Sequence, residues 1–221
     1  MTRPSGTTPR PFVIAIDGPA ASGKGTLAHR IAEHYGFARL DSGRLYRAAA
    51  KRLMDLGCKA EDRVAAAQAA ADIRPDDLDN RALGEDSIAH VASQIAAHKE
   101  VRAALLDFQR RFAHSPPDGK LGAVIDGRDI GTVVCPDADA KIFVTATIDV
   151  RAGRRLKELR EKGLDSIKAR VLQDMRQRDD RDSERSASPL RQAEDAHLLD
   201  TTEMDADQAF EAARVVIDSL R

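Results

Sequence analysis

The chain has 221 residues, 42% hydrophobic and 32% charged. That is enough apolar material for one core, which must be aliphatic because only 4% of the residues are aromatic and Trp is absent. Thirty-five basic residues against 36 acidic ones leave a formal net charge of -1, so the chain has no overall attraction for nucleic acid or an anionic membrane, and any anion site must be local. Cys58 and Cys135 are too few for a disulfide framework and match no zinc spacing. No apolar run nears the ~20 residues of a membrane span, and the apolar stretch after MTRPSGTTPRP is too short for a secretory signal and ends in an acid. The expectation is a soluble protein in the reducing cytoplasm.

In chain order, residues 1–11 read as a disordered leader rich in Pro, Thr and Gly. Phe12–Ile16 is a continuous apolar run, the pattern of a strand buried on both faces of a parallel sheet. Leu27–Tyr35 carries Leu27, Ile31 and Ala32 at helical spacing, with Gly36 as its C-cap. Phe37–Leu40 reads as a second strand and Leu45–Leu56 as a helix stopped by Gly57. Glu61–Ala71, Ser87–Ala97 and Glu100–Ala113 read as helices, and Arg74–Asp86 as a polar loop. Ala123–Asp126, Lys141–Ala146 and Ala196–Leu199 carry further strand signals, and Asp149–Lys162, Asp165–Asp182 and Ala206–Leu220 further helical ones. Short apolar strands alternating with helices predict an α/β fold with a parallel sheet. The strandless helices between residues 45 and 114 read as a small cap over the sheet's carboxyl edge.

Gly18-Pro19-Ala20-Ala21-Ser22-Gly23-Lys24-Gly25-Thr26 follows a predicted strand and opens a predicted helix, the setting of a P-loop. A polyphosphate needs several converging backbone N–H groups, which a glycine-rich turn and a helix N-terminus supply. Lys24 adds a full positive charge for the β- and γ-phosphates, and a hydroxyl beyond it serves Mg²⁺. That hydroxyl belongs to Thr26, because Gly25 stands directly after the Lys. A dinucleotide turn is disfavoured, since no G-x-G-x-x-G precedes the helix. A GTPase-like switch lacks its Asn-Lys-x-Asp motif. A nucleic-acid module would rest on Arg151–Lys162 alone, without an aromatic platform.

Three further blocks admit two readings each. In Asp41-Ser42-Gly43-Arg44-Leu45-Tyr46-Arg47, Ser42 and Arg47 suit a second anion facing the P-loop, or the block is a helix N-cap beside a surface Arg. In Asp126-Gly127-Arg128-Asp129, Asp126 suits the waters of a Mg²⁺ ion and Arg128 a phosphate, or the block is a tight turn with a local ion pair. In Arg178–Arg185, Arg178, Arg181, Asp182 and Arg185 share a helix face, which suits a substrate or merely solvent.

Taken together, IDGPAASGKGT, LDSGRLYR, VASQIAAHKEVRAALLDFQRRF, DGRDIGTVVCPDA, KIFVTA and RDDRDSERSASPL resemble the bacterial cytidylate kinases over nearly all of Phe12–Leu220. The resemblance implies a P-loop NTPase three-layer fold with a five-stranded parallel sheet. It implies one kinase domain over 12–221: a core of 12–43, 115–150 and 188–221, a helical NMP-binding subdomain over about 44–114, and a short lid over about 151–187. It implies ATP-dependent phosphorylation of CMP and dCMP with Mg²⁺ and small-molecule partners only; the lack of a spare apolar helix face points to a monomer. Gly18–Thr26 would hold ATP, with Thr26 and, through water, Asp126 serving the metal. Ser42, Arg47 and Arg128 would hold the acceptor's α-phosphate. Ser93, Arg102 and Asp129 match positions that recognise the cytosine edge, and Asp182, Arg185 and Arg178 match positions near ribose and phosphate. Arg151, Arg154 and Arg155 resemble lid arginines that swing over ATP. Lys24, Arg128, Arg178 and Arg155 would then form the catalytic set. Relative to the family, the Arg74–Asp86 insertion is short and polar, so the acceptor-binding part is expected to be reduced to helices.

Overall fold

A computed structural model describes residues 10–221. The leader expected over residues 1–11 lies outside the described residues for 1–9, and Arg10 is paired with Asp139.

Five strands, β1 (Phe12–Asp17), β2 (Ala38–Asp41), β3 (Gly122–Gly127), β4 (Ala140–Thr145) and β5 (His197–Asp200), form one parallel sheet in the order β2-β3-β1-β4-β5. Among the described residues eight α-helices surround it: α1 (Lys24–Tyr35), α2 (Ser42–Asp55), α3 (Arg63–Ala71), α4 (Asp86–Ile95), α5 (Lys99–His114), α6 (Ile148–Glu161), α7 (Lys168–Glu184) and α8 (Ala206–Asp218). The α/β P-loop NTPase fold is therefore present.

Alternation along the strands splits the core in two, because successive side chains point to opposite faces. Ile14 and Ile16 of β1 face α1 and α8 and pack with Leu27, Ile31, Val144 and Ile217. Val13 and Ala15 face the other way and pack with Leu45, Leu53, Ile95, Val101 and Leu105 of α2, α4 and α5. The helices between residues 45 and 114 thus share one core with the sheet. A third cluster, with Ala152, Leu159, Val171 and Met175, joins α6 to α7.

Most predicted elements stand where the apolar pattern put them, but α1 and α2 begin three residues earlier, at Lys24 and Ser42. Their first turns carry small and polar residues that serve the sheet's carboxyl edge, not the core, so hydrophobic spacing does not register them. Asp41 caps α2 by accepting the Arg44 N–H at 3.3 Å. Gly36 ends α1 at φ 67, as an αL C-cap requires. The segment read as a loop over Arg74–Asp86 holds two 3₁₀ turns, Pro75–Asp79 and Arg81–Gly84. Leu83 buries itself there, and Arg44 donates to the Leu78 carbonyl at 2.9 Å. β1 and β3 end in register at Asp17 and Gly127, so the loops that follow them open side by side, where α/β sheets receive ligands.

Candidate active site

The P-loop leaves β1 at Gly18, with φ 151; a Cβ there would sit 2.1 Å from the Val144 carbonyl oxygen, so only glycine lets the turn begin. Ala21 is held at φ 57, a left-handed conformation rare for an L-residue and typical of functional turns. The first donor inside α1 is Leu27, bonded to the Gly23 carbonyl at 3.0 Å. The N–H groups of Lys24, Gly25 and Thr26 therefore have no partner within the helix and point at the loop's concavity.

Lys24 Nζ donates to the Pro19 carbonyl at 3.1 Å. Burial, then the positive charge of Arg128, brings its ammonium down to about 7, against the pull of Asp126 and Asp41. Without an anion beside it Lys24 loses its proton as pH rises through that value, and a bound polyphosphate favours the charged form. Polyphosphate binding at pH 8 is therefore expected to take up protons, and at pH 6, where Lys24 is already mostly charged, it contributes little uptake. Calorimetric titration in buffers of different ionisation heat measures this. Lys24→Met should abolish the uptake at pH 8, and an unchanged uptake would refute the assignment.

Beyond the loop lies a cleft of about 1180 Å³, lined by Lys24, Ser42, Arg47, Ser93, Arg128 and Arg178 among others. Ser42, at the first turn of α2, is buried. A Cβ at Gly127 would come within 2.5 Å of its hydroxyl, which is why a glycine stands between Asp126 and Arg128. Among the described residues, Lys24, Arg47 and Arg178 form no ion pair. Arg178 Nε is enclosed without any hydrogen-bond partner. Burial, then repulsion from Arg128, Arg47 and Arg155, lowers the Arg178 guanidinium to about 10. Cations packed in this way call for an anion.

Next to this group runs a buried chain of alternating charges, Arg102–Asp129–Arg185–Asp182–Arg128. Arg128 Nε donates to Asp182 at 2.8 Å. Arg185, just past the end of α7, lies 4.0 Å from both Asp129 and Asp182. Arg102 pairs with Asp129, lies 5.5 Å over the Tyr46 ring and keeps its Nε unpartnered. Ser93, buried on α4, accepts from Arg181 at 3.4 Å. The expected base-recognition residues and the α7 charges are thus brought into one wall.

Asp126 sits at the cleft floor beside Arg39, whose Nη2 donates at 3.3 Å. Its carboxyl is pushed up to about 6, chiefly by burial and then by Asp41. Thr26 is exposed and lines a second cavity of about 360 Å³, with Leu27, Val144, Thr201 and Met204. The two cavities share Ala21 and Glu158 and so meet at the P-loop.

The three arginines of α6 do not behave as one group. Arg151 pairs with Asp179 at 2.6 Å and donates to the Ala20 carbonyl at 3.2 Å. Arg154 donates to the Ser22 carbonyl at 3.3 Å and to the Thr201 carbonyl at 2.7 Å. Both reach carbonyls of the P-loop, and Arg154 also lines the smaller cavity. Only Arg155 faces the large cleft, paired with Asp86 of α4 and with Glu158. The sequence reading missed Thr201, which hydrogen-bonds backbone carbonyls of Ser22 and Thr145, and Arg39; neither lies in a recognisable motif.

The chain is similar to known proteins over nearly its whole length. The cytidylate kinase family pattern matches residues 14–218. The chain is 57% identical over 209 residues to the cytidylate kinase of Paramagnetospirillum magneticum, covering 95% of this chain and 99% of that one. It is 55% identical over 208 residues to that of Methylocella silvestris, covering 94% of each. A solved structure of an uncharacterized protein from Eubacterium ventriosum shares the fold, with a TM-score of 0.54 at 19% identity over 94% of this chain and 99% of that one. With more than half of the residues shared along almost the full length of those relatives, the chain belongs to the cytidylate kinase family.

Proposed function

We propose that the protein transfers the γ-phosphoryl group of ATP to CMP or dCMP, giving ADP and CDP or dCDP. The observation that carries this reading is the set of unpaired cations, Lys24, Arg47 and Arg178, around one cleft at the mouth of a P-loop. Family membership names the nucleotide. In this reading ATP lies with its phosphates on Gly18–Thr26 and its base in the smaller cavity. The acceptor lies in the larger one, its phosphate on Ser42, Arg47, Arg128 and Arg178 and its base against Ser93, Arg102 and Asp129, with Asp182 and Arg185 toward the ribose.

The acceptor nucleophile is a phosphate oxygen that already carries charge, so the chain needs no strong general base. Its tasks are alignment and charge stabilisation in a loose, in-line transfer. Two unit charges 4 Å apart repel by ~4 kcal/mol at an effective dielectric near 20. Lys24, Arg128 and Arg178 offset that repulsion, and Arg155 joins them by leaving Asp86 as the α6–α7 lid settles. Enclosure also keeps water from the γ-phosphate.

The reading includes Mg²⁺. The donor set suits it: Asp126 and Asp41 repel one another at the cleft floor, and a hydrated cation beside Asp126 would relieve that repulsion. Thr26 lies in the other cavity, which leaves Asp126 as the stronger candidate. When bound, the ion would neutralise phosphate charge. The reading further holds that the protein is a cytoplasmic monomer, which both cavities in one chain and two free cysteines support. Among the described residues, no helix is long and apolar enough to cross a membrane.

An ADP-release assay over CMP, dCMP, UMP and AMP tests the proposal. CMP and dCMP should be turned over at least tenfold faster than AMP, because a hydrogen-bonding pocket rejects a mismatched edge strongly. Absence of CDP with ATP and magnesium would sink it.

A further inference from the structure

Asp17 is the last residue of β1, directly before the P-loop, and is 5% exposed. A carboxylate at that point would be expected to support the ATP loop. None of its hydrogen bonds goes there. Oδ1 accepts the Ile130 N–H and Oδ2 the Gly131 N–H, both at 2.8 Å. These residues open a single π turn, Ile130–Val134, whose N-cap is Asp129. The Asp129 carbonyl closes the turn by accepting from Val133 at 2.9 Å and Val134 at 3.1 Å. On the other side stands Lys141 of β4, buried, with Nζ bonded to the Pro136 carbonyl at 2.6 Å and to Asp195 at 2.7 Å. A Cβ on Gly131 would meet the Lys141 stem at 3.2 Å and Asp17 Oδ2 at 3.5 Å. The turn is therefore clamped between β1 and β4, and Arg128 and Asp129 project from its leading end.

We propose that Asp17 is a positioning residue for the acceptor side of the site: by fixing the 130–134 turn, its carboxylate sets the backbone that carries Arg128 and Asp129, and so governs binding of the nucleoside monophosphate and not of ATP. The assignment of acceptor and donor sides rests on the function proposed above. Burial pushes the Asp17 carboxyl up to about 6 despite the two N–H donors. The fold thus keeps an unfavourably buried acid where the turn is what it holds.

Asp17→Asn keeps the shape but replaces one acceptor oxygen with an amide that cannot accept, leaving a buried N–H unpaired. KM for CMP should rise about tenfold, with KM for ATP within about twofold, since one stranded buried donor is of that magnitude. The dissociation constant for CMP measured without ATP should rise alike. Gly131→Ala displaces the turn from its other side and should give the same asymmetry; it decides alone if Asp17→Asn does not fold. Equal changes for the two substrates, a selective loss of ATP binding, or a fall in kcat with both KM values unmoved would overturn the proposal. A wild-type chain that makes no CDP overturns the proposed activity instead, and the asymmetry is then read from the two dissociation constants.

Discussion

Arg128→Ala is expected to lower turnover by about 10³-fold or more, the scale on which transition-state arginines act in phosphoryl transfer. Arg128 is rigidly held: Nε donates to Asp182 at 2.8 Å and Nη1 to the Gly127 carbonyl at 3.2 Å. Burial opposes its charge, yet Asp182, Asp179 and Asp41 more than compensate and hold the guanidinium above its ordinary range. It is therefore charged throughout the working pH range and needs no reorganisation when phosphate charge develops nearby. Arg128→Lys should restore only part of the rate, because an ammonium lacks the planar fork that meets Asp182 and a phosphate together. Arg160→Ala is the control. Arg160 is exposed at the rim of the same cleft, and its loss should change turnover by less than about threefold. Single-turnover rates at saturating substrates measure both, and similar rates in the two alanine variants would remove Arg128 from the catalytic set.

Asp129→Asn is expected to have the largest effect on stability. Asp129 is 4% exposed and faces Arg102 in direct contact and Arg185 at 4.0 Å. Neutralising it strands the buried Arg102 guanidinium and leaves Arg185 with Asp182 alone, and removing one partner of a buried pair costs ~3–5 kcal/mol. In a chain of this size each kcal/mol lowers Tm by roughly 2–4 °C, so a fall of about 6–20 °C should appear in a thermal melt. The surviving enzyme should also bind CMP more weakly than ATP is affected, because Arg102 and Arg185 lose the carboxylate that orients them. Asp218→Asn supplies the comparison: Asp218 pairs with Arg214 at the surface, where such a pair is worth ~0–1 kcal/mol. A Tm shift no larger than that control would show that the Arg102–Asp129 contact is not holding the wall together.

The α6 arginines show where reading residues in line stops working. Arg151, Arg154 and Arg155 lie at i, i+3 and i+4, a spacing that suggests one cationic face. In the fold their long stems diverge: two reach backbone carbonyls of the P-loop, and one reaches a carboxylate of α4. Asp17 carries no signal because its partners are main-chain N–H groups, and Thr201 because, besides Arg154, it bonds main-chain carbonyls; every sequence contains such groups and none displays them. Thr26 and Asp126 are both metal candidates by motif, and only the fold shows that Thr26 lines the smaller cavity and Asp126 the larger.

The five strands, the P-loop and the blocks around Ser42, Asp126 and Arg178 are legible without coordinates, because burial on both faces of a sheet and phosphate binding each demand particular residues at short, local spacing. The pairing of those blocks is not local. Which arginine is neutralised by a carboxylate and which is left facing an anion, and which loop Asp17 serves, depend on distances between segments 27 to 114 residues apart. Only the packed sheet and its helices decide them.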